Sequence, residues 1–302
     1  MGKRVMPALL LCLLLCGCGL HRPNPQPVET VDPYAGMVQV ESGFGTKMWV
    51  KEYEELSVNP YLGRTDWQDM APNRARSGID VSEHQGEIDW DMLLEENDLG
   101  FVILRAAYRG YGTGGKLCED AWFRRNLEAA LANGLDVGLY FFSQATTPAE
   151  AEEEADYLMA LLGELGSLNV SPETVTLPIF FDWERIDFDD ARTDDVRAGD
   201  ITDLAIAFCE RVRAAGYSPG VYAYRSLAYY SYELPRLADY RLWIGALGET
   251  PDFYYAHEFW QCAVVTGVDG IQGEVDVNVW FAPEPVSAST TAPENGSEES
   301  VE

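Results

Sequence analysis

Two acidic residues follow an apolar run in the middle of the chain, Leu177-Pro-Ile-Phe-Phe-Asp182-Trp-Glu184. The run is typical of a buried strand, and side chains two residues apart on a strand point to the same face. Repulsion between the two carboxylates, together with burial beside Trp183, should raise the pKa of one of them. An acid paired with a carboxylate can break a glycosidic bond. A strand end that emerges into solvent also carries acids, so this pair alone leaves the function open.

Two further acids are expected at the same place. Asp80 stands at the end of a predicted first strand, and Asp276 lies in a predicted last strand. First and last strands are neighbours in a closed barrel, and the fourth lies across its interior. Three strands would therefore bring carboxylates to one mouth. Oxygen ligands also suit hard cations, but the sequence contains no calcium-type loop, so we expect no metal and no cofactor.

The elements that position these acids begin near Ser77, where short apolar runs alternate with helical stretches. This alternation is typical of βα units around a parallel sheet. Strands are predicted at 78–82, 101–107, 137–142, 175–181, 220–224, 242–246, 259–263 and 275–280. Helices are predicted at 118–133, 148–162 and 201–215, among others, because N-capping residues and glycines mark their ends. The predicted fold is an α/β protein, an irregular TIM-barrel-like (β/α) barrel of eight strands and about five helices.

The pattern resembles glycoside hydrolase family 25, the lysozymes that cleave between N-acetylmuramic acid and N-acetylglucosamine. The two most specific matches are Gly78-Ile-Asp-Val-Ser-Glu-His-Gln-Gly-Glu-Ile-Asp-Trp90 and Phe181-Asp-Trp-Glu184. Weaker matches follow in the family's order at 101–107, 138–142, 220–223, 242–245 and 275–278. The resemblance covers about residues 77–283 and implies the same barrel, with peptidoglycan glycan strands as substrate.

Carried over to this sequence, the resemblance makes Glu184 the general acid. Asp182 would orient the 2-acetamido group of the substrate or stabilise positive charge on the sugar, and Asp80 and Asp276 would support the pocket. The resemblance favours retention of configuration and leaves a covalent ester and acetamido participation both open. Aromatic residues at predicted strand ends offer stacking surfaces for sugars: Tyr108, Tyr140, Phe142, Tyr222, Tyr224 and Trp260. Tyr140 and Tyr222 are the pair predicted to bind substrate, because they match the pocket tyrosines of the family.

Two alternative functions are weighed against this one. A family-18 chitinase-like hydrolase also ends a strand in Asp-x-Glu, but its motif carries acids where this chain has Pro178 and Phe180. A non-catalytic glycan-binding lipoprotein would be expected to have lost the acid, and Glu184 is present.

The N-terminus reads as an export signal. Lys3 and Arg4 precede an apolar run at 8–15 that is too short to span a bilayer. The run ends in Leu15-Cys16-Gly17-Cys18, which resembles a bacterial lipobox with Cys18 as the acylated residue. We therefore expect a lipoprotein anchored to the outer face of the bacterial cell membrane; an ordinary cleaved signal is the alternative.

Composition sets the remaining limits. The 302 residues carry a net charge of −29, which argues against a nucleic-acid partner because phosphates would be repelled. We expect a monomer whose mature cysteines Cys118, Cys209 and Cys262 form no disulfide. The predicted segments are a lipoprotein signal peptide (1–17), a tether (18–36), a small β extension (37–76), the barrel (77–283) and a disordered acidic tail (284–302).

Overall fold

The computed structural model describes residues 32–42, 45–70 and 75–282. The predicted signal peptide, Cys18, most of the tether and the acidic tail lie outside the described residues. The chain divides into two units, residues 1–35 and 36–302. In the first unit, residues 32–35 form a turn with a 3.2 Å hydrogen bond from Ala35 N to Asp32 O. None of the helices within the described ranges is long and apolar enough to cross a membrane.

Eight strands close into a barrel in the order β3-β4-β6-β7-β8-β9-β10-β11, with β3 pairing both β4 and β11. The strands are β1 (Met37–Glu41), β2 (Lys47–Lys51), β3 (Ala75–Val81), β4 (Phe101–Arg109), β5 (Leu117–Glu119), β6 (Asp136–Ser143), β7 (Ile179–Trp183), β8 (Pro219–Tyr224), β9 (Arg241–Gly245), β10 (Phe259–Thr266) and β11 (Glu274–Phe281). The helices are α1 (Trp67–Met70), α2 (Trp90–Glu96), α3 (Phe123–Ala132), α4 (Pro148–Glu164), α5 (Asp200–Ala214) and α6 (Arg225–Ser231). The predicted irregular α/β barrel is confirmed, with α2 to α6 following its strands. Outside the barrel, β1 and β2 form an antiparallel hairpin, and β5 adds to the edge of β4.

The direction of the last strand decides where one acid lies. Seven of the eight barrel strands run parallel to one another: β3, β4, β6, β7, β8, β9 and β10. The eighth, β11, runs antiparallel to both β10 and β3. The short connection at 267–273 reverses the chain, since a parallel return would need a crossover of a dozen or more residues. Asp276 lies near the start of β11, so the reversal places it at the end of the barrel where β3 and β7 finish. A parallel β11 would have placed the start of that strand at the opposite end.

Two predicted boundaries were wrong for local reasons. The helix predicted from 118 begins at Phe123, because residues 117–119 pair with β4 as β5 and Asp120 then caps a turn. The fourth strand, predicted from 175, begins at Ile179. Its start is delayed because Val175 N bonds back to Ser171 O at 2.9 Å in a turn.

Large aromatic rings fill the end of the barrel where the parallel strands begin. Polar groups occupy the other end, where those strands finish. Phe101 and Phe180 are fully buried in this inner cluster. Glycine makes room for each ring: a Cβ on Gly78 would come within 2.5 Å of Phe101 Cε1, and one on Gly220 within 2.5 Å of Phe180 Cδ1. Alternating large and small residues in this way packs a barrel interior without a channel. The site is therefore open at one end only.

The segment 45–70 covers the outside of the barrel beside β10. The connection from β9 to β10 at 246–258, which the structure describes in full, contains no helix, and segment 45–70 packs there instead. Trp67 meets Trp260 edge-to-face at 5.4 Å between ring centroids, and Asn59 Nδ2 donates to Phe253 O at 3.0 Å. Trp260 thus faces away from the barrel interior, and its interpretation as a sugar-stacking residue is wrong.

Candidate active site

The structure brings the four predicted acids together at the mouth of the barrel. Asp80, near the end of β3, is the register partner of Asp276 on β11. Asp182 lies near the end of β7, and Glu184 follows the strand directly. Burial raises the pKa of all four carboxyls, and repulsion within the group adds to it: Asp276 and Glu184 act on Asp80, and both Glu184 and Asp80 act on Asp182.

Asp80 is buried and held by two amides. Its Oδ2 accepts hydrogen bonds from Gln261 Nε2 at 3.0 Å and from Asn278 Nδ2 at 2.8 Å. Each amide is fixed in turn, because Tyr222 Oη donates to Gln261 Oε1 and Trp243 Nε1 donates to Asn278 Oδ1, both at 2.8 Å. The donors on both sides orient the amides so that their N–H groups face the carboxyl.

The charge on Asp80 is disfavoured despite these hydrogen bonds. Burial, and then repulsion by Asp276, raise its pKa to about 8, while the bonds from Asn278 and Gln261 oppose the rise. Asp80 is therefore largely protonated at neutral pH in the free site.

Asp182 is the deeper member of the central pair. Burial raises its pKa well above the ordinary value, and Glu184 and Asp80 add to the effect, while Arg105 opposes it. The neighbouring Glu184 carboxyl raises the pKa of Asp182, whereas the Asp182 carboxyl lowers that of Glu184. Asp182 Oδ1 is buried and receives no hydrogen bond from any group in the part of the chain that the structure describes. A buried acceptor left without a donor is unusual and marks a position with a functional role.

Glu184 is half-buried and lies closer to solvent than Asp182. Burial raises its pKa to about 7, and repulsion by Asp276 adds to the rise. The main chain at this point is fixed, because Gln144 Nε2 donates to Glu184 O at 3.0 Å. A carboxylic acid that titrates near neutral pH, on a fixed backbone, can give a proton to a bound leaving group.

Tyr140 and Tyr222 line the barrel interior close to the acids. Both are buried, and both rings contact Trp243, with centroid distances of 6.0 Å and 4.5 Å respectively. Burial raises the pKa of each hydroxyl well above its ordinary value. Tyr222 on β8 is the register partner of Asp182, and Tyr140 on β6 is the register partner of Phe180, two residues before Asp182. Their contact with substrate stays a prediction.

The site contains three further polar residues that the sequence did not indicate: Arg105, Gln261 and Asn278. Arg105 lies on β4, where Nε donates to Asp120 Oδ2 at 2.8 Å, and its charge lowers the pKa of Asp182. The alternation of side chains along a strand could have indicated that Arg105 and Gln261 face the barrel interior. Arg105 and Gln261 each follow an inward-facing residue, Ile103 and Phe259, by two positions.

The donor set does not amount to a metal centre. Among residues 32–42, 45–70 and 75–282, no group of three or more His, Cys, Asp or Glu is placed to hold a metal ion. The four acids instead have raised pKa values, chiefly because they are buried, which is common at catalytic sites. Cys118, Cys209 and Cys262 are free thiols.

The sequence matches the model of Glycosyl hydrolases family 25 over residues 79–271, more than half of the chain. The chain therefore belongs to this family of glycoside hydrolases. A comparison with curated protein sequences gave no match.

Solved structures of low sequence identity share the fold. The modular autolysin LytC from Streptococcus pneumoniae matches with a TM-score of 0.60 and 24% identity, over 82% of this chain and 57% of LytC. This chain thus spans little more than half of LytC. A bacterial lysozyme from Streptomyces coelicolor matches with a TM-score of 0.53 and 21% identity, over 69% of this chain and 93% of the lysozyme. A family GH25 lysozyme from Aspergillus fumigatus gives 0.52 and 18%, over 70% and 95% of the two chains.

Proposed function

We propose that this chain hydrolyses the β-1,4 bond between N-acetylmuramic acid and N-acetylglucosamine in peptidoglycan. The observation that carries the proposal is the pair Asp182 and Glu184, both with raised pKa values, at the open end of a barrel of family 25. A structure of LytC, which has the same fold, was solved in complex with a synthetic peptidoglycan ligand. Because LytC is only 24% identical to this chain, its ligand indicates the class of substrate and not the details of binding.

Glu184 supplies the proton. At neutral pH a substantial fraction of this carboxyl is protonated, because its pKa is about 7. It donates to the glycosidic oxygen as the bond to the sugar breaks, which prevents an alkoxide from leaving.

Asp182 acts on the sugar. Its Oδ1, without a donor among the described groups, accepts the N–H of the 2-acetamido substituent. As positive charge develops on the sugar, Asp182 passes its proton to the Glu184 carboxylate, which has just given its own proton to the glycosidic oxygen, because an adjacent cation lowers the pKa of Asp182. One residue thereby orients the substrate and stabilises the transition state.

Asp276 acts through its charge, and Asp80 acts through its hydrogen bonds. Repulsion by Asp276 contributes to the raised pKa of Glu184, so the acid keeps its proton up to neutral pH. Asp80 connects Gln261 and Asn278 to the carboxyl cluster and fixes the wall of the mouth.

The test compares the full-length chain with Glu184→Gln on purified peptidoglycan. We expect turbidity clearing to fall by about 10²–10⁴-fold in Glu184→Gln, the usual cost of losing a positioned acid. Glu128→Gln, at an exposed position of α3, is the matched control and should clear normally. Mass spectrometry should show muramic acid at the new reducing ends. Wild-type clearing by Glu184→Gln, glucosamine reducing ends, or clearing of chitin alone would contradict the proposal.

We further propose that the protein is exported and held on the outer face of the membrane as a monomeric lipoprotein. Residues 1–17 would be removed, Cys18 acylated, 18–36 would act as a tether, 37–76 as a β extension of the barrel at 77–283, and 284–302 as an unfolded acidic tail. Support comes from the lipobox-like Leu15-Cys16-Gly17-Cys18 and from acyl chains that each contribute about 0.8 kcal/mol per buried CH₂.

Fractionation of expressing cells tests the anchor. Cys18→Ser should move the protein from the membrane to the soluble fraction, whereas Cys16→Ser should leave it on the membrane. Membrane retention of Cys18→Ser would contradict acylation of Cys18. An ordinary cleaved signal peptide would then be the interpretation of residues 1–17.

A further inference from the structure

A row of three aromatic rings leads from the acids to the surface. Phe142 on β6 is the register partner of Asp182 on β7, and it packs on the inner aromatic cluster. Tyr111, in the loop after β4, meets Phe142 at 6.0 Å between centroids and 76° between planes. Phe188, in the loop after β7, meets Tyr111 at 5.8 Å. The row therefore begins beside the catalytic pair and ends outside the mouth.

The outer two rings are exposed although they touch each other. Tyr111 is 37% exposed and Phe188 is 48% exposed. Single exposed apolar residues are ordinary, but contacting rings that stay open to solvent beside a cleft mark a surface for a partner. An aromatic face suits the C–H face of a pyranose ring, which presents an apolar surface between its polar edges.

The two loops that carry these rings are fixed to each other and to the barrel. Arg192 N donates to Tyr111 O at 3.0 Å, which joins the loop after β7 to the loop after β4. The Arg192 side chain pairs with Glu150 at the start of α4, and Arg185 Nη2 donates to Val196 O at 2.7 Å. The platform is thus formed before a ligand arrives, so little ordering is needed on binding.

The charge around the platform selects the kind of ligand. Asp187, Asp189 and Asp190 surround Phe188 in sequence, and all three are exposed. Such a rim repels anionic polymers, while its carboxylates can accept hydrogen bonds from sugar hydroxyls. The uncharged N-acetylglucosamine ring of the strand fits both properties, whereas the lactyl carboxylate of a peptide-free N-acetylmuramic acid is repelled by the rim.

We infer that Phe142, Tyr111 and Phe188 form a stacking platform for sugar rings of the glycan strand beyond the bond that is cut, so that the enzyme favours long strands. The inference rests on the proposed function, because it extends the same site along the same substrate. Phe142 guides the strand from the acids, and Tyr111 and Phe188 hold the more distant ring.

The test measures steady-state kinetics on peptide-free oligosaccharides of alternating N-acetylglucosamine and N-acetylmuramic acid, from tetrasaccharide to decasaccharide. For the wild type, kcat/KM should rise with length until the platform is covered. For Tyr111→Ala and Phe188→Ala, KM on the longest oligosaccharides should rise by roughly 3- to 10-fold, with kcat little changed and the tetrasaccharide unaffected. Trp49→Ala is the matched control, because Trp49 on β2 has the same 37% exposure.

Binding in the Glu184→Gln background separates this inference from the proposed function. Isothermal calorimetry with the decasaccharide should show the same weakening for Phe188→Ala there, without any hydrolysis. Equal effects on all lengths, no effect on the longest, or an effect only when stem peptides are attached would overturn the platform. Absence of hydrolysis by the wild type, with Phe188-dependent binding retained, would overturn the proposed function and leave the platform standing.

Discussion

Glutamine in place of Glu184 should make the fold more stable at alkaline pH. In the folded chain the pKa of Glu184 is about 7, against an ordinary 4.5, chiefly because the carboxyl is buried. An acid with a higher pKa in the folded than in the unfolded chain favours folding at low pH, and this contribution is lost as pH rises through the folded value. Glutamine keeps the shape of the side chain and has no proton to lose.

The magnitude follows from the distance between the two pKa values. Each pH unit is worth about 1.36 kcal/mol, so moving the pKa of Glu184 from 4.5 to about 7 makes its ionisation cost about 3 kcal/mol in the fold. The wild type bears this cost above about pH 7, and the variant never does. Near about pH 4 the carboxyl is mostly protonated in both states, and the cost nearly disappears.

Urea unfolding of the full-length chain at about pH 4 and about pH 8 measures the effect. We expect the free energy of unfolding of Glu184→Gln, relative to wild type, to rise by about 3 kcal/mol between the two conditions. Glu128→Gln corrects for removing one charge from a chain of net charge −29, and should shift by well under 1 kcal/mol. A relative stability that is constant with pH, or that falls, would show that Glu184 ionises as readily in the fold as in the unfolded chain, and would refute the reasoning.

Three further predictions concern the site and its supports. First, kcat/KM on a soluble oligosaccharide should fall about tenfold per pH unit above about pH 7, since Glu184 must be protonated to act as the acid; a rate that stays flat to about pH 9 would contradict this role. Second, Asn278→Leu should destabilise the chain by about 1–3 kcal/mol in urea melts, because Trp243 Nε1 loses its acceptor and Asp80 loses a donor; unchanged stability would show that these bonds contribute nothing. Third, Trp67→Ala should cost about 3–5 kcal/mol, because Trp67 is buried against Trp260; a cost under about 0.5 kcal/mol, the usual size for a surface substitution, would show that segment 45–70 is not part of the packed wall.

Much of the site follows from strand alternation alone. The period of two in the sequence places Asp182 and Glu184 on one face, and the apolar run before them predicts a buried strand. The same period places Asp80 at a strand end. These are local properties, so a single sequence is enough to reveal them, and the eight-strand barrel follows from their repetition along the chain.

The features of the site that the sequence does not predict depend on contacts between residues far apart in the chain. The short connection at 267–273 sets the reversed direction of β11, but the register that makes Asp276 the partner of Asp80 joins positions almost two hundred residues apart. The pairing of Asp80 with Gln261 and Asn278 likewise joins positions 181 and 198 residues apart. Phe188 lies in an irregular loop without a periodic pattern, so nothing local indicates that its ring meets Tyr111.

The packing of segment 45–70 on the outside of the barrel has a kinetic consequence. Its hydrogen bonds span most of the chain: Asn59 reaches Phe253 across 194 residues, and Trp67 reaches Glu249 across 182. Contacts between such distant positions form slowly, because the entropy of closing a long loop is lost before any contact is gained. The stretch that leaves the ribosome early must therefore wait for one made much later, and until they meet, Trp260 and Phe281 stay open to water. A chain halted before residue 249 has no partner for Trp67, whose ring then stays open to water, and that surface is where its aggregation would begin.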